Sequence, residues 1–223
     1  MASSFRPARK SEKGLHRKAP GQVRIIAGRW RGRKLDVANV AGLRPTGDRV
    51  RETLFNWLQA EVAGARCLDL FAGTGALGFE ALSRAARMVT FVEPDMVAFR
   101  HLRQSCDLLD ISVTDEAGHT MEETASMAHL YAGTAQAAVE HCLRLESVPR
   151  YDLVFIDPPF QMNCQWAVLQ DLVPGLLSDR AHIYIESPFR QAVPETVPAG
   201  CEIVREKRFG DVAARVLSYT MVR

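Results

Sequence analysis

Residues 66–78 read RCLDLFAGTGALG. Three positions, two of them apolar, lead to Asp69, and three glycines, Gly73, Gly75 and Gly78, follow within nine residues. An apolar run that stops at an acid and opens onto glycines reads as a buried strand, a tight turn and the start of a helix, here continued by LGFEALSRAA. Glycine permits turn conformations that other residues resist and lets backbone N–H groups approach a ligand closely. In an open α/β sheet this turn lies at the carboxyl edge of the strand, where ligands bind.

The same alternation runs outward from this stretch. MVTFVE, AHLYAG, YDLVFID and AHIYIES read as further strands. DMVAFRHLRQSCDLL, TAQAAVEHCLRL and QWAVLQDLVPGLL read as helices, the last interrupted at Pro174. EIVREKRFG and AARVLSYTMV close the chain as an antiparallel pair. Strands alternating with helices predict a mostly parallel sheet covered on both faces. Residues 111–127 are polar and acidic and read as an inserted surface loop. Upstream, QVRIIAG and RKLDV predict a short hairpin around GRWRG, and Asp48 is the candidate N-cap of a helix carrying Val50, Leu54, Phe55, Leu58 and Val62.

The chain has 223 residues and a net charge of only +2, but its charge is unevenly placed. Residues 1–51 hold 14 of the 28 Lys and Arg against 3 of the 26 acids, a net +11; the remaining 172 residues carry −9. Residues 1–20 form a basic leader with few apolar residues and are expected to be disordered alone. In residues 21–51 the charges alternate with Val23, Ile25, Trp30 and Leu35, which predicts a folded basic element suited to a polyanion. The rest, 52–223, reads as the main domain. No run of about 18 apolar residues or secretory signal is present. Five cysteines, an odd number without C-x-x-C spacing, point away from disulfides and structural zinc and towards a reducing cytoplasm. His119 and His129 lack the further ligands a metal would need.

Two more strand ends carry chemistry. Glu93 follows the glycines by about 20 residues, where an acid can accept both ribose hydroxyls of a nucleoside. Residues 73–78 formally match a dinucleotide fingerprint, but the lead-in from Asp69 resembles the first motif of S-adenosylmethionine-dependent methyltransferases. Residues 157–160, DPPF, resemble the [DN]-P-P-[YFW] signature of methyltransferases acting on planar amino nitrogens. Such an amine is a poor nucleophile because its lone pair is delocalised into the ring. The Asp157 carboxylate and the Pro158 carbonyl can each accept one N–H and favour a pyramidal, nucleophilic nitrogen. Pro158 and Pro159 restrict the backbone so that the acceptors are pre-positioned. Phe160 can stack on a base.

With QVRIIAG, LRPTGDRVRETLFNWL, CLDLFAGTGALGFEALSR and DPPF in view, the chain resembles the RsmD family of bacterial 16S ribosomal RNA guanine-N2 methyltransferases. The resemblance implies a Rossmann-like class I methyltransferase fold: a seven-stranded, mostly parallel sheet with a C-terminal antiparallel pair and a small basic N-terminal hairpin. It implies S-adenosyl-L-methionine as cofactor, contacted by Asp69, Phe71, Gly73, Gly75, Glu93, Thr134 and Ala135. It implies ribosomal RNA as partner, in an assembled small subunit, for a cytoplasmic monomer. Candidate RNA contacts are Arg24, Arg29, Arg31, Arg33, Lys34, Arg44, Arg49 and Arg51. Arg49 or Arg51 is expected to meet phosphate or the target base, the alternative being an internal salt bridge with Asp48 or Glu52. Adenine-N6 or cytosine-N4 methylation of nucleic acid, and a non-catalytic RNA-binding assembly role, are the competing readings.

Overall fold

The computed structural model describes residues 21–38, 40, 46–114, 127–172 and 175–222. The basic leader, Arg44 and most of the expected insertion lie outside the described residues. β1 (Gln22–Arg24) pairs antiparallel with β2 (Lys34–Asp36), Val23 opposite Leu35. Then follow α1 (Asp48–Trp57), β3 (Arg66–Asp69), α2 (Ala76–Ser83), β4 (Met88–Glu93), α3 (Met96–Leu109) and β5 (Ser112–Thr114). β6 (Met127–Ala132), α4 (Ala135–Leu143), β7 (Tyr151–Ile156), α5 (Gln165–Leu172), β8 (Leu177–Pro188), β9 (Cys201–Phe209) and β10 (Val212–Thr220) complete the chain.

Among the described residues the main sheet has the order β5-β6-β4-β3-β7-β8-β10-β9, parallel from β5 to β8 and antiparallel through β10 and β9. The expected parallel core and C-terminal antiparallel pair are both there. The additional strand is β5: Ser112–Thr114 pair in parallel with Met127–His129, so the expected 111–127 loop begins as an edge strand. Val113 packs against the core, and that contact holds these residues to the sheet edge.

Each face of the sheet carries its own core. Phe55, Phe79, Phe91, Phe155 and Tyr184 fill one face with α1, α2 and α3; Val139, Trp166, Leu169, Val154 and Ile183 fill the other with α4 and α5. Phe79 and Phe91 lie 4.8 Å apart between ring centres. Burying one such side chain contributes about 1.5–3 kcal/mol, against about 0–1 kcal/mol for an exposed ion pair. The apolar faces therefore dominate the stability of the sheet. None of the five cysteines forms a disulfide, and no helix among the described residues is long and apolar enough to cross a membrane.

The N-terminal hairpin shares the larger core rather than standing apart, since Ile25, Trp30 and Leu35 belong to it. Glu80 and Ser83 of α2 fasten it. The Glu80 carboxylate accepts from Ile26 N–H (2.7 Å) and Ala27 N–H (3.0 Å). The Ser83 carbonyl accepts from Arg29 N–H, and its hydroxyl accepts from Trp30 N–H and donates to the Ala27 carbonyl. Gly28 has φ +82°, and a Cβ there would sit 1.8 Å from the Ser83 carbonyl oxygen, so only glycine allows this approach. At α1 the N-cap is Gly47, one residue before the expected Asp48, whose carboxylate pairs with Arg51 and Arg24 instead.

Candidate active site

The strand order changes direction between β3 and β7, because the chain builds outward from β3 through β4 and β6 and then returns to β7 on the other side. Ligands of open α/β sheets occupy the crevice at such a point, outside the carboxyl ends of the strands. Asp69, Glu93 and Asp157 stand at or just past the carboxyl ends of β3, β4 and β7. The three come from positions up to 88 residues apart in sequence, and the sheet puts them on one edge.

Each acid has a definite task there. Asp69 is buried and accepts from Gly78 N–H at 3.1 Å, which ties the first turn of α2 to the end of β3. Burial pushes its carboxyl up to about 7, with Asp157 and Glu93 adding to the rise and the Gly78 N–H opposing it. Glu93 accepts from Gly73 N–H and from Asp95 N–H, both at 2.8 Å, so one carboxylate joins the glycine turn to the start of α3. Burial raises its pKa and the two N–H groups lower it. A carboxylate has about four lone-pair sites, so the two oxygens of Glu93 can each accept a further hydroxyl. Gly75 has φ +74°, and a Cβ on it would meet Phe79 at 2.4 Å; this turn cannot carry another residue without moving the core.

Asp157 accepts from the Thr46 hydroxyl at 2.7 Å. Burial pushes its carboxyl up to about 6, and the Thr46 hydrogen bond holds it down. Pro158 is buried, while Pro159 and Phe160 are exposed, Phe160 at 43%. Phe160 opens a single 3₁₀ turn, residues Phe160–Met162, leading into α5. The sheet therefore brings together Asp69, Gly73, Gly75, Glu93 and the Asp157–Phe160 segment. Phe71 is half-buried next to them. Thr134 and Ala135 begin α4 beside Glu93, whose carbonyl accepts from Gly133 N–H at 3.2 Å. The Thr134 hydroxyl caps α4 by accepting from Ala137 N–H.

The basic candidates divide. Arg51 is only 1% exposed. Its guanidinium donates to the Asp48 carboxylate (2.6 Å) and to the carbonyls of Arg24 (2.9 Å) and Thr46 (3.2 Å), with Glu80 at 3.8 Å. The expected phosphate or base contact at Arg51 is thus replaced by the internal alternative. Arg51 holds the carbonyl of the residue whose hydroxyl holds Asp157. Arg24 and Arg49 are exposed near the start of α1 on the site edge. Arg29, Arg31, Arg33 and Lys34 are exposed too, but the turn they frame docks on the far ends of α2 and α3, where Arg33 donates to the Leu108 carbonyl. An eight-residue helix at 1.5 Å per residue sets that turn about 12 Å back from the edge.

Three residues of the site carry no role in the sequence reading. The Thr46 bond to Asp157 spans 111 positions and has no local signal. Tyr184 donates to the Glu186 carboxylate at 2.8 Å, both buried at the end of β8. The Tyr184 hydroxyl is pushed well up by burial first, then by Glu186 and Asp157. Glu186 repeats the signal of Asp69, Glu93 and Asp157, an acid closing a parallel apolar strand, and was legible on that ground.

The family profile described as "Conserved hypothetical protein 95" matches residues 23–218. Ribosomal RNA small subunit methyltransferase D of Haemophilus influenzae is 41% identical over 199 residues, covering 89% of this chain and 94% of that protein. The chain belongs to the RsmD family. The same-named protein of Escherichia coli K12 is also 41% identical, over 88% of this chain and 89% of its own. The solved structure of yhhF from Escherichia coli superposes with a TM-score of 0.74 at 38% identity, covering 91% of this chain and all of that one. As a member of this family the chain has the fold of S-adenosylmethionine-dependent methyltransferases, and S-adenosyl-L-methionine is its expected cofactor.

The role of Glu93 gives a first test. Glu93→Ala removes the acceptor that ties Gly73 to Asp95 and the proposed ribose contact together. The dissociation constant for S-adenosylhomocysteine, measured by calorimetry, should rise at least about tenfold, as expected for losing a charged hydrogen-bond partner of about 1.5–3 kcal/mol. An unchanged constant would limit Glu93 to starting α3.

Proposed function

We propose that this protein transfers the methyl group of S-adenosylmethionine to the exocyclic N2 amine of a guanine in small-subunit ribosomal RNA. The observation that carries the reading is Asp157: a carboxylate held by Thr46 at the end of β7, followed by buried Pro158 and exposed Phe160, across the switch point from the Gly73 turn and Glu93. Membership of the RsmD family supports ribosomal RNA as the substrate, since the curated relatives are named for it.

The residues suit the cofactor. Glu93 has lone pairs for two vicinal hydroxyls, the Gly73–Gly75 turn admits close approach of its amino-acid end, and Thr134–Ala135 lie where the adenine would rest. When bound, S-adenosylmethionine supplies an electrophilic methyl on a positively charged sulfur. Asp157 accepts one N–H of the guanine amine and the Pro158 carbonyl accepts the other. Held this way, the nitrogen lone pair would be aimed at that methyl carbon, and the S–CH₃ electron pair would remain on sulfur. The proton released from nitrogen passes to the Asp157 carboxylate. Phe160 stacks on the base, a contact of about 1–3 kcal/mol, and the base must be turned out of its stack to reach this edge.

In this reading residues 52–223 carry catalysis and residues 21–51 carry both structural and RNA-contact roles, with Arg24 and Arg49 at the site. The protein acts as a cytoplasmic monomer on an assembled subunit, which presents the base in a fixed setting. The decisive experiment incubates small subunits from a strain lacking the protein with methyl-labelled S-adenosylmethionine and identifies the labelled nucleoside by mass spectrometry. N2-methylguanosine at one position is the expected result. Label on adenine or cytosine would keep the chemistry of Asp157 and overturn the base assignment.

A further inference from the structure

Three aromatic side chains close three strands on the site edge. Phe160 follows β7, Phe189 follows β8, and Phe209 ends β9. β8 runs parallel to β7 with Ile185 opposite Ile156, and Pro188 pairs with Val212 at the start of β10. The β9–β10 turn therefore lies on the same edge as Asp157. With strands about 4.7–4.9 Å apart, it stands roughly 10–15 Å from β7. Phe189 is 40% exposed, and the Arg208 guanidinium lies 3.9 Å over its ring. The Lys207 ammonium lies 5.1 Å over Phe209, whose ring is half-buried against the larger core, so that Phe189 is the exposed ring of the tip. Arg190 follows Phe189 and is exposed, and Arg205 is exposed four residues before Phe209 on β9.

We infer that the tip of the β9–β10 hairpin, with Phe189, Arg190, Lys207, Arg208 and Phe209, is a second RNA-contact surface that grips the strand flanking the target nucleotide. The inference rests on the proposed RNA substrate. The chemistry is that of single-strand recognition: aromatic faces stack on bases and cations track the phosphates. The charge of the surface fits. Among its acids, Glu206 is already paired with buried Arg215 at 3.0 Å, Glu202 lies at the other end of β9, and Asp211 alone sits in the turn. Lysine and arginine on an edge strand also prevent sheet-to-sheet pairing. That role requires neither an exposed Phe189 nor an arginine stacked on it at the strand end nearest Asp157. The surface also supplies what the N-terminal turn lacks, since Arg29, Arg31 and Arg33 are set back from the edge.

The test uses the full-length protein and small ribosomal subunits from a strain lacking it, with binding measured across about 50–200 mM salt. Lys207→Gln with Arg208→Gln should lower the slope of log affinity against log salt by about 2, one for each lost phosphate contact. Phe189→Leu, which keeps an apolar side chain but removes the ring, should weaken binding about fivefold or more. Affinity for S-adenosylhomocysteine and the melting temperature should stay at wild-type values in both. Variants that bind subunits with unchanged affinity and slope would overturn the surface while leaving the proposed function intact. Loss of cofactor-product affinity alongside would make the tip structural and overturn it equally. Wild-type protein that binds subunits without salt dependence would overturn the RNA reading itself, and this surface with it.

Discussion

Asp157→Ala should lower the rate of methyl transfer by about 10²–10⁴-fold, the usual contribution of a positioned acid–base group, while S-adenosylhomocysteine affinity stays within a few-fold of wild type. The two readouts separate because the proposed function gives Asp157 the amine, and Glu93 and the glycine turn the cofactor. Single-turnover rates on small subunits would measure the first and calorimetry the second. Turnover within twofold of wild type would remove Asp157 from the chemistry. The pH dependence carries a further signature. Burial pushes the Asp157 carboxyl up to about 6. Only the ionised form can take up the proton released from nitrogen, so the wild-type rate should fall as pH drops through about 6. The Thr46 hydroxyl donates to the charged form and opposes that rise. Thr46→Val should therefore move the acid limb to higher pH while keeping the maximal rate closer to wild type than Asp157→Ala does. An acid limb that stays in place would show that Thr46 does not govern the ionisation of Asp157.

Glu80→Ala should be the most damaging single substitution for stability, at about 3–5 kcal/mol, the range for breaking a buried ion pair by removing one partner. Glu80 is 0% exposed and holds four groups: Ile26 N–H, Ala27 N–H, the Arg84 guanidinium at 2.7 Å and Arg51 at 3.8 Å. Its removal leaves two backbone donors without this acceptor and places Arg51 in the interior with only Asp48 as an acid partner. The damage should also reach the site, because Arg51 holds the Thr46 carbonyl and Thr46 holds Asp157. Urea unfolding of Glu80→Ala and of the shape-preserving Glu80→Gln would test this, with the glutamine variant expected in between. A loss below about 1 kcal/mol for Glu80→Ala would place the pair in the class of exposed ion pairs and refute the buried-network account.

Local pattern carried much of this molecule. Each parallel strand of the core announces itself as an apolar run, and four of them close on an acid: Asp69, Glu93, Asp157 and Glu186. Arg51 had a readable signal that was outweighed by its charge. It lies at i, i+3, i+4 and i+7 with Leu54, Phe55 and Leu58, which is the buried stripe of α1. Charge argues for solvent; helical position argues for the core, and a guanidinium can follow position when carbonyls and carboxylates meet its donors. β5 was not readable, since Ser112–Thr114 is too short and polar to alternate, and it is a strand because β6 lies beside it.

Composition, periodicity and strand-end chemistry in the sequence were enough to set the order of elements, the parallel core and the segments that bear the reactive groups, because each depends on neighbours a few positions away. Which arginines stay exposed and which are buried, which carboxylate steadies the hairpin and which hydroxyl bonds Asp157 depended on the folded chain. Thr46 and Asp157 are 111 residues apart, and Glu80 is 54 from Ile26. Burial and hydrogen bonding are properties of that packed arrangement, and they give Asp157 and Glu80 partners that no local pattern contains.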